Sequence, residues 1–260
     1  MNPSQIPIIN YHKIEAQMDV GVTTRHPQRF ARDMRLLKDM GYQTFTFHDI
    51  LSGQETESGK KPLMITFDDG YESVYTRAFP VMKELGFRGV VYVPGAYIGK
   101  ENTWDVQFGG KRYRHLNRGQ LLELQRAGFE IGAHGVHHRA LTVLGAEALR
   151  NELNGSKDML EEALGIPVVS FCYPFGQFNK TVAAQVRTAG YRFALASMYW
   201  GNGEATSYAL KRMNIYRFDS EKAFRKKILP KPPSWLVFRD WVIQRGALAT
   251  VLYQKLTDRS

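Results

Sequence analysis

Two neighbouring carboxylates, Asp68 and Asp69, end the run Ile65-Thr66-Phe67-Asp68-Asp69-Gly70. The run is apolar up to Phe67, as a buried strand would be, and α/β active sites lie at the ends of parallel strands. Adjacent carboxylates repel, which raises the pKa of one unless a cation separates them. A metal ligand beside a general base meets that demand; a polar turn hinged on Gly70 is the structural alternative. Three of the seven histidines fall within His134-Gly135-Val136-His137-His138, directly after the run 130–133. If the chain turns helically there, His134 and His138, at i and i+4, share a face and can grip one divalent ion through imidazole nitrogens. His134 and His137, at i and i+3, are the competing pair. A third run, Phe171-Cys172-Tyr173-Pro174-Phe175-Gly176, combines a stiffening proline with a glycine that permits a sharp turn. Such a loop can aim a backbone N–H at a substrate carbonyl, or it is an ordinary exit from a strand.

These groups need a scaffold that gathers strand ends. Short β-rich runs at 6–10, 43–47, 63–67, 89–93, 130–133, 168–173 and 192–196, with an eighth over 210–216, alternate with helical segments at 29–40, 118–127 and 146–164. That alternation predicts an α/β fold with a parallel sheet closed into a barrel. The length of 260 residues suits one such domain. The stretch 99–117 reads as a long surface loop, in which Trp104 could stack on a sugar ring and Asp105 accept its hydroxyls; Trp104 could equally plug the barrel rim. Hydrophobic residues at 43% and charged residues at 23% exclude disorder and coiled coil for the whole chain. The single cysteine, Cys172, excludes a disulfide framework and any multi-cysteine metal site.

Taken together, Thr66-Phe67-Asp68-Asp69-Gly70, His134-x-x-x-His138 and Phe171-x-Tyr173-Pro174-Phe175-Gly176 resemble the motifs of the NodB-type polysaccharide deacetylases, in that family's order. The resemblance covers about residues 6–217. It implies a distorted, incomplete (β/α) barrel of seven or eight strands and a metal-dependent hydrolase that removes N-acetyl groups from N-acetylhexosamine units of a glycan or glycolipid. By the same resemblance Asp68 is the general base, and Asp69, His134 and His138 hold one divalent metal. Zinc is expected, with cobalt, nickel or manganese as alternatives. The backbone N–H of Phe175 becomes the oxyanion donor. Apart from the resemblance, Tyr173, Trp104, Asp105 and Arg212 are expected at the substrate. Two histidines and one carboxylate leave coordination positions open for water and the acetyl oxygen.

Three positions depart from the family pattern. Gly135 stands where Ser or Thr is usual, and Cys172 where an arginine often tunes the base; Arg212 is a candidate to supply that charge instead. No histidine follows His138 to act as the general acid. At the other end, Ile8-Ile9-Asn10-Tyr11-His12-Lys13-Ile14 resembles the Tyr-His-x-Ile opening of the PgaB/IcaB-type exopolysaccharide de-N-acetylases. That branch has a permuted motif order, and the resemblance makes His12 the acid that protonates the leaving amine.

Lys+Arg 35 against Asp+Glu 25 gives a net charge of +10, suited to an anionic partner without choosing one. No recognition motif supports nucleic acid. Residues 1–220 read as the barrel and 221–260 as a basic extension. From Ser234 a helix places Trp235, Phe238, Trp241, Val242, Leu248, Leu252 and Leu256 broadly on one side, which fits peripheral contact with an anionic membrane, packing on the barrel, or dimerisation. The N-terminus has no signal-like apolar segment, so a cytoplasmic location is expected. An inactive glycan-binding barrel and a de-O-acetylase are the alternative functions; oligomeric state stays open.

Overall fold

A computed structural model describes residues 1–17, 22–103, 112–197 and 206–245; Trp104, Asp105, Leu248, Leu252 and Leu256 lie outside them. Its parallel strands are β1 (Ile8–Tyr11), β2 (Tyr42–Thr44), β3 (Lys61–Phe67), β4 (Val90–Val93), β5 (Glu130–Ala133), β6 (Ser170–Cys172), β7 (Phe193–Ser197) and β8 (Leu210–Asn214). In the order β1-β8-β7-β6-β5-β4-β3 they form a ring that closes where β1 pairs with β3, Ile9 opposite Ile65 and Tyr11 opposite Phe67. β2 is the extra strand, paired with the first three residues of β3. The expected barrel of seven or eight strands is therefore seven in the ring and one attached. Most strands are buried along their whole length, as strands covered by helices on one side and barrel core on the other must be.

The helices are α1 (Pro27–Asp39), α2 (Phe47–Leu51), α3 (Phe79–Glu84), α4 (Arg118–Arg126), α5 (Ala146–Leu164), α6 (Lys180–Thr188), α7 (Glu221–Lys227) and α8 (Ser234–Arg245). α1 keeps its stripe, burying Phe30, Met34, Leu36 and Leu37. α5 has the span its sequence predicts and ends on left-handed Gly165. The strand expected over 43–47 is cut short for a local reason. Thr46 and Asp49 form a capping box, each side chain accepting from the other residue's N–H, and this starts α2 at Phe47.

Among the described residues beyond 220, α7 and α8 stay on the barrel. Phe224 and Ile228 join the main core. Leu236 of α8 packs with Met213 of β8 and Ala223 of α7. Among the described residues no helix is long and apolar enough to cross a membrane.

The seam between the first and last strands is held by one buried arginine. Arg25, 2% exposed, donates twice to Asp33 of α1, at 2.9 and 2.8 Å, and once each to the carbonyls of Tyr216 and Asp219, at 2.9 Å. Tyr11 of β1 also donates to Asp33, at 3.0 Å. Removing the arginine would strand a buried carboxylate and two carbonyls. Arg25→Met should therefore destabilise the protein by about 3–5 kcal/mol, measured as a lowered urea midpoint at an unchanged slope.

Candidate active site

Asp68 and Asp69 follow the last residue of β3 and are each 5% exposed. Successive strand residues point to opposite faces, so two adjacent side chains share one site only if the backbone turns. It does: Asp69 is left-handed, with φ 67°. Among the described residues, three non-glycine positions have positive φ, namely Asp69, His138 and Phe175. All three carry expected site roles. Backbone strain of this kind persists where the surroundings over-determine it, characteristically at functional sites. Asp69 is held by His115, whose Nδ1 lies 2.6 Å from the Asp69 carbonyl. Stacking between Tyr71 and the His115 ring supports that contact.

Asp69 Oδ1 lies 3.5 Å from His134 Nε2 and 3.3 Å from His138 Nε2. One ligand atom from each of the three residues falls within 4.8 Å of the others, and all are buried. The pair is the one expected at i and i+4, but no helical turn brings it together. Residues 134–138 are a loop with left-handed Gly135 (φ 79°) and left-handed His138 (φ 55°). His137 turns away, 55% exposed, with Nδ1 2.9 Å from Glu152 of α5. Glu152 also accepts from the N–H groups of Val136 and His137, at 2.8 and 3.0 Å. It thus does the loop-holding that a hydroxyl at 135 would do, and it explains the glycine. A Cβ at 135 would sit 2.8 Å from Glu152 Oε2.

The donor chemistry fits a cation. His134 Nδ1 lies 2.7 Å from the Cys172 carbonyl, an arrangement in which the ring donates there and turns Nε2 toward Asp69. Burial disfavours a charged His134, yet Cys172 and Asp69 more than offset it, and the imidazole is raised well above its ordinary range. Burial likewise pushes the Asp69 carboxyl up, but His134 and His138 hold it well below the carboxylate range. Burial pushes His138 down. The pocket thus demands positive charge between a carboxylate and two rings, which a divalent ion on Asp69, His134 and His138 satisfies.

Asp68 is compensated separately. Arg212 of β8 is 4% exposed and grips both of its oxygens, at 2.7 and 2.5 Å. Asn10 of β1 donates to it at 3.1 Å. Burial pushes Asp68 up, and Arg212, aided by His134 and His12, brings it below the usual range. The charge that Arg212 could supply in place of an arginine at 172 is thus beside Asp68, buried and bidentate. Arg212 also donates to the Cys172 sulfur at 2.8 Å. The Cys172 thiol thus lies between Arg212 and Asp68, its sulfur 3.6 Å from the Asp68 carboxylate.

His12 places Nε2 3.8 Å from Asp68, with its side chain 20% exposed. Among the described residues its Nδ1 has no hydrogen-bond partner, and burial pushes the ring below the ordinary imidazole range. Phe175 is left-handed (φ 59°) in the turn after β6, and its ring packs edge-on against His138, centroids 4.7 Å apart. Gly176 beside it has φ 67°, and a Cβ there would lie 2.5 Å from that of Ser197. Tyr173, expected with the substrate, is fully buried, stacks on Phe178 and donates to the Tyr208 carbonyl at 2.9 Å. Trp104 and Asp105 fall outside the described residues.

A family model for polysaccharide deacetylases matches residues 55–194, more than half of the chain. The chain belongs to that family. YxkH of Bacillus subtilis (strain 168) is 27% identical over 226 residues, 85% of this chain and 75% of that protein. The poly-beta-1,6-N-acetyl-D-glucosamine N-deacetylase of Escherichia coli (strain K12) is 24% identical over 85% of this chain but only 38% of its own length. The crystal structure of BC0361, a polysaccharide deacetylase from Bacillus cereus, superposes with a TM-score of 0.71 at 26% identity, over 86% of this chain and 69% of that one.

The ligand set has a direct readout in metal content. The purified family member should carry about one divalent ion per chain, measured by elemental analysis after desalting. His134→Ala and His138→Ala should lose it, whereas His137→Ala, which alters a ring directed at Glu152, should retain it. Metal lost from the His137 variant and kept by the His138 variant would reverse the assignment.

Proposed function

We propose that the protein is a metal-dependent hydrolase that removes N-acetyl groups from N-acetylhexosamine units of a glycan or lipid-linked sugar. The observation that carries this reading is the juxtaposition of a buried, ionised base with a three-donor cation site. Asp68, held ionised by Arg212, stands one residue from Asp69, which faces His134 and His138. A non-catalytic glycan binder has no use for a buried base beside a cation site. A divalent ion bound there supplies Lewis acidity to the acetyl oxygen and lowers the pKa of a water it binds.

The chain's own groups do the rest. Asp68 accepts the proton of the attacking water, which is general-base catalysis. The backbone N–H of Phe175, aimed by its left-handed turn, donates to the oxygen that becomes negative. His12, beside Asp68, donates a proton to the leaving nitrogen. The name of the Escherichia coli relative supports an N-acetylated amino sugar as the substrate class. Because the metal triad resembles the family pattern, zinc is the expected ion, with cobalt, nickel and manganese compatible with the same donors.

Asp68→Asn should keep the metal and slow acetate release from an N-acetylated oligosaccharide by about 10²–10⁴-fold. An amide is nearly isosteric but cannot take the proton. Wild-type turnover with metal bound would remove the base assignment.

His12→Ala should keep fold and metal yet slow amide hydrolysis strongly, with a much smaller loss on an aryl acetate. An amine must be protonated to leave, whereas an aryl oxide needs little help. Equal losses on the two substrates would make His12 structural.

A further inference from the structure

Helix α8 is built inside out. Its inner face carries Leu236 and Asp240, both fully buried. Asp240 accepts from Gln244 at 2.6 Å and from Asn214 at 3.5 Å, and lies 3.9 Å from the buried Lys227. Its outer face carries Trp235, Phe238 and Val242, which are 51%, 59% and 49% exposed. These sit at i, i+3 and i+7, one stripe of a helix. A helix that covers only a barrel buries its apolar stripe; this one buries an aspartate and shows a tryptophan. Of the stripe expected from the sequence, Trp235, Phe238 and Val242 face outward, and Leu248, Leu252 and Leu256 lie outside the described residues.

The exposure is concentrated. Among the described residues nine large apolar side chains are exposed, and Phe218, Leu229, Trp235, Phe238 and Val242 account for five of them. Trp235, Phe238 and Val242 share one face of α8, and apolar exposure gathered on one face marks an interaction surface rather than scatter. Cations frame it. Lys226 Nζ lies 5.4 Å from the Trp235 ring centre, and the Arg239 guanidinium lies 5.8 Å from that ring and 5.4 Å from Phe218. With Lys222 these residues line a cleft of about 340 Å³. Arg239 shares its charge with the buried Asp219, while Lys222 and Lys226 form no ion pair among the described residues.

We propose that this face, Trp235, Phe238 and Val242 of α8 with Phe218 and the Lys222 and Lys226 ammonium groups, docks on an anionic phospholipid surface. The chemistry matches that occupant at both levels. Tryptophan and phenylalanine settle at the boundary between headgroups and acyl chains. Long basic side chains lie along the aromatic rings and reach lipid phosphates. A second copy fits less well, because a two-fold interface would press this cation-rimmed face against an identical, like-charged one. A nucleic-acid duplex would engage the cations but leave Phe238 and Val242 in water. The proposal is independent of the deacetylase reading, since membrane binding and acetate release are measured separately.

The test is sedimentation of the full chain with phosphatidylcholine vesicles, with and without phosphatidylglycerol. Binding should require phosphatidylglycerol and weaken with salt. Each basic residue near an anionic surface adds about fivefold to partitioning, so Lys222→Glu with Lys226→Glu should cost about 25-fold or more. Phe238→Ser with Val242→Ser, at exposed positions, should keep the thermal midpoint and acetate release while losing at least tenfold in vesicle binding. No sedimentation, equal binding to both vesicle types, or wild-type binding by either double variant would overturn the proposal. So would a dimer in solution that Phe238→Ser dissociates, or duplex DNA binding that survives Phe238→Ser with Val242→Ser.

Discussion

Two ionised carboxylates on consecutive residues are buried at the end of β3, and the site follows from that constraint. Neither charge is stable out of water without its own counter-charge. The left-handed turn at Asp69 keeps the pair in one pocket while giving each carboxylate a different set of neighbours. Arg212 reaches from β8 to take Asp68, and two rings from the loop after β5 converge on Asp69. The result is a division of labour between chemically identical groups. One carboxylate is saturated by a guanidinium and Asn10 yet still borders His12; the other presents its oxygen to two imidazoles.

Closure of the ring makes that convergence feasible. β1 touches β3 on one side and β8 on the other, so His12, Asp68 and Arg212 are neighbours although they span the length of the barrel sequence. Asn10 sits at the crossing. Its side chain meets Asp68, Thr66, Asn214 and Arg212, and Asn214 in turn meets Asp240 of α8. The tail helix is therefore joined to the Asp68 carboxylate by two asparagines. Burial raises Asp240 to about 6 despite the nearby Lys227, so the far end of this chain is a weakly held charge.

The fold was legible because its signals are local. Apolar runs of strand length, a 19-residue helix ended by Gly165 and three motifs at strand ends are all visible in single segments. Arg212 could be suspected, since Cys172 leaves a known charge unplaced, and the structure puts it on Asp68. The histidine pair was legible by spacing although its geometry is a strained loop rather than a helix turn. What stayed hidden depends on distant contacts. Nothing near His115 announces that it will hold the Asp69 carbonyl, and nothing near Glu152 announces the loop at 135–138. The orientation of α8 also stayed hidden, because Asp240 is buried with partners, Lys227 and Asn214, that periodicity does not reveal.

The contact between Glu152 and position 135 also constrains how this sequence can drift. Glu152 occupies the volume into which a side chain at 135 would project, and it holds the backbone that such a side chain would have to hold in its place. A side chain at 135 would have to displace the Glu152 carboxylate, and with it the two N–H contacts that hold the loop carrying His138. A change at one of the two positions, 17 residues apart, therefore alters what the other can hold.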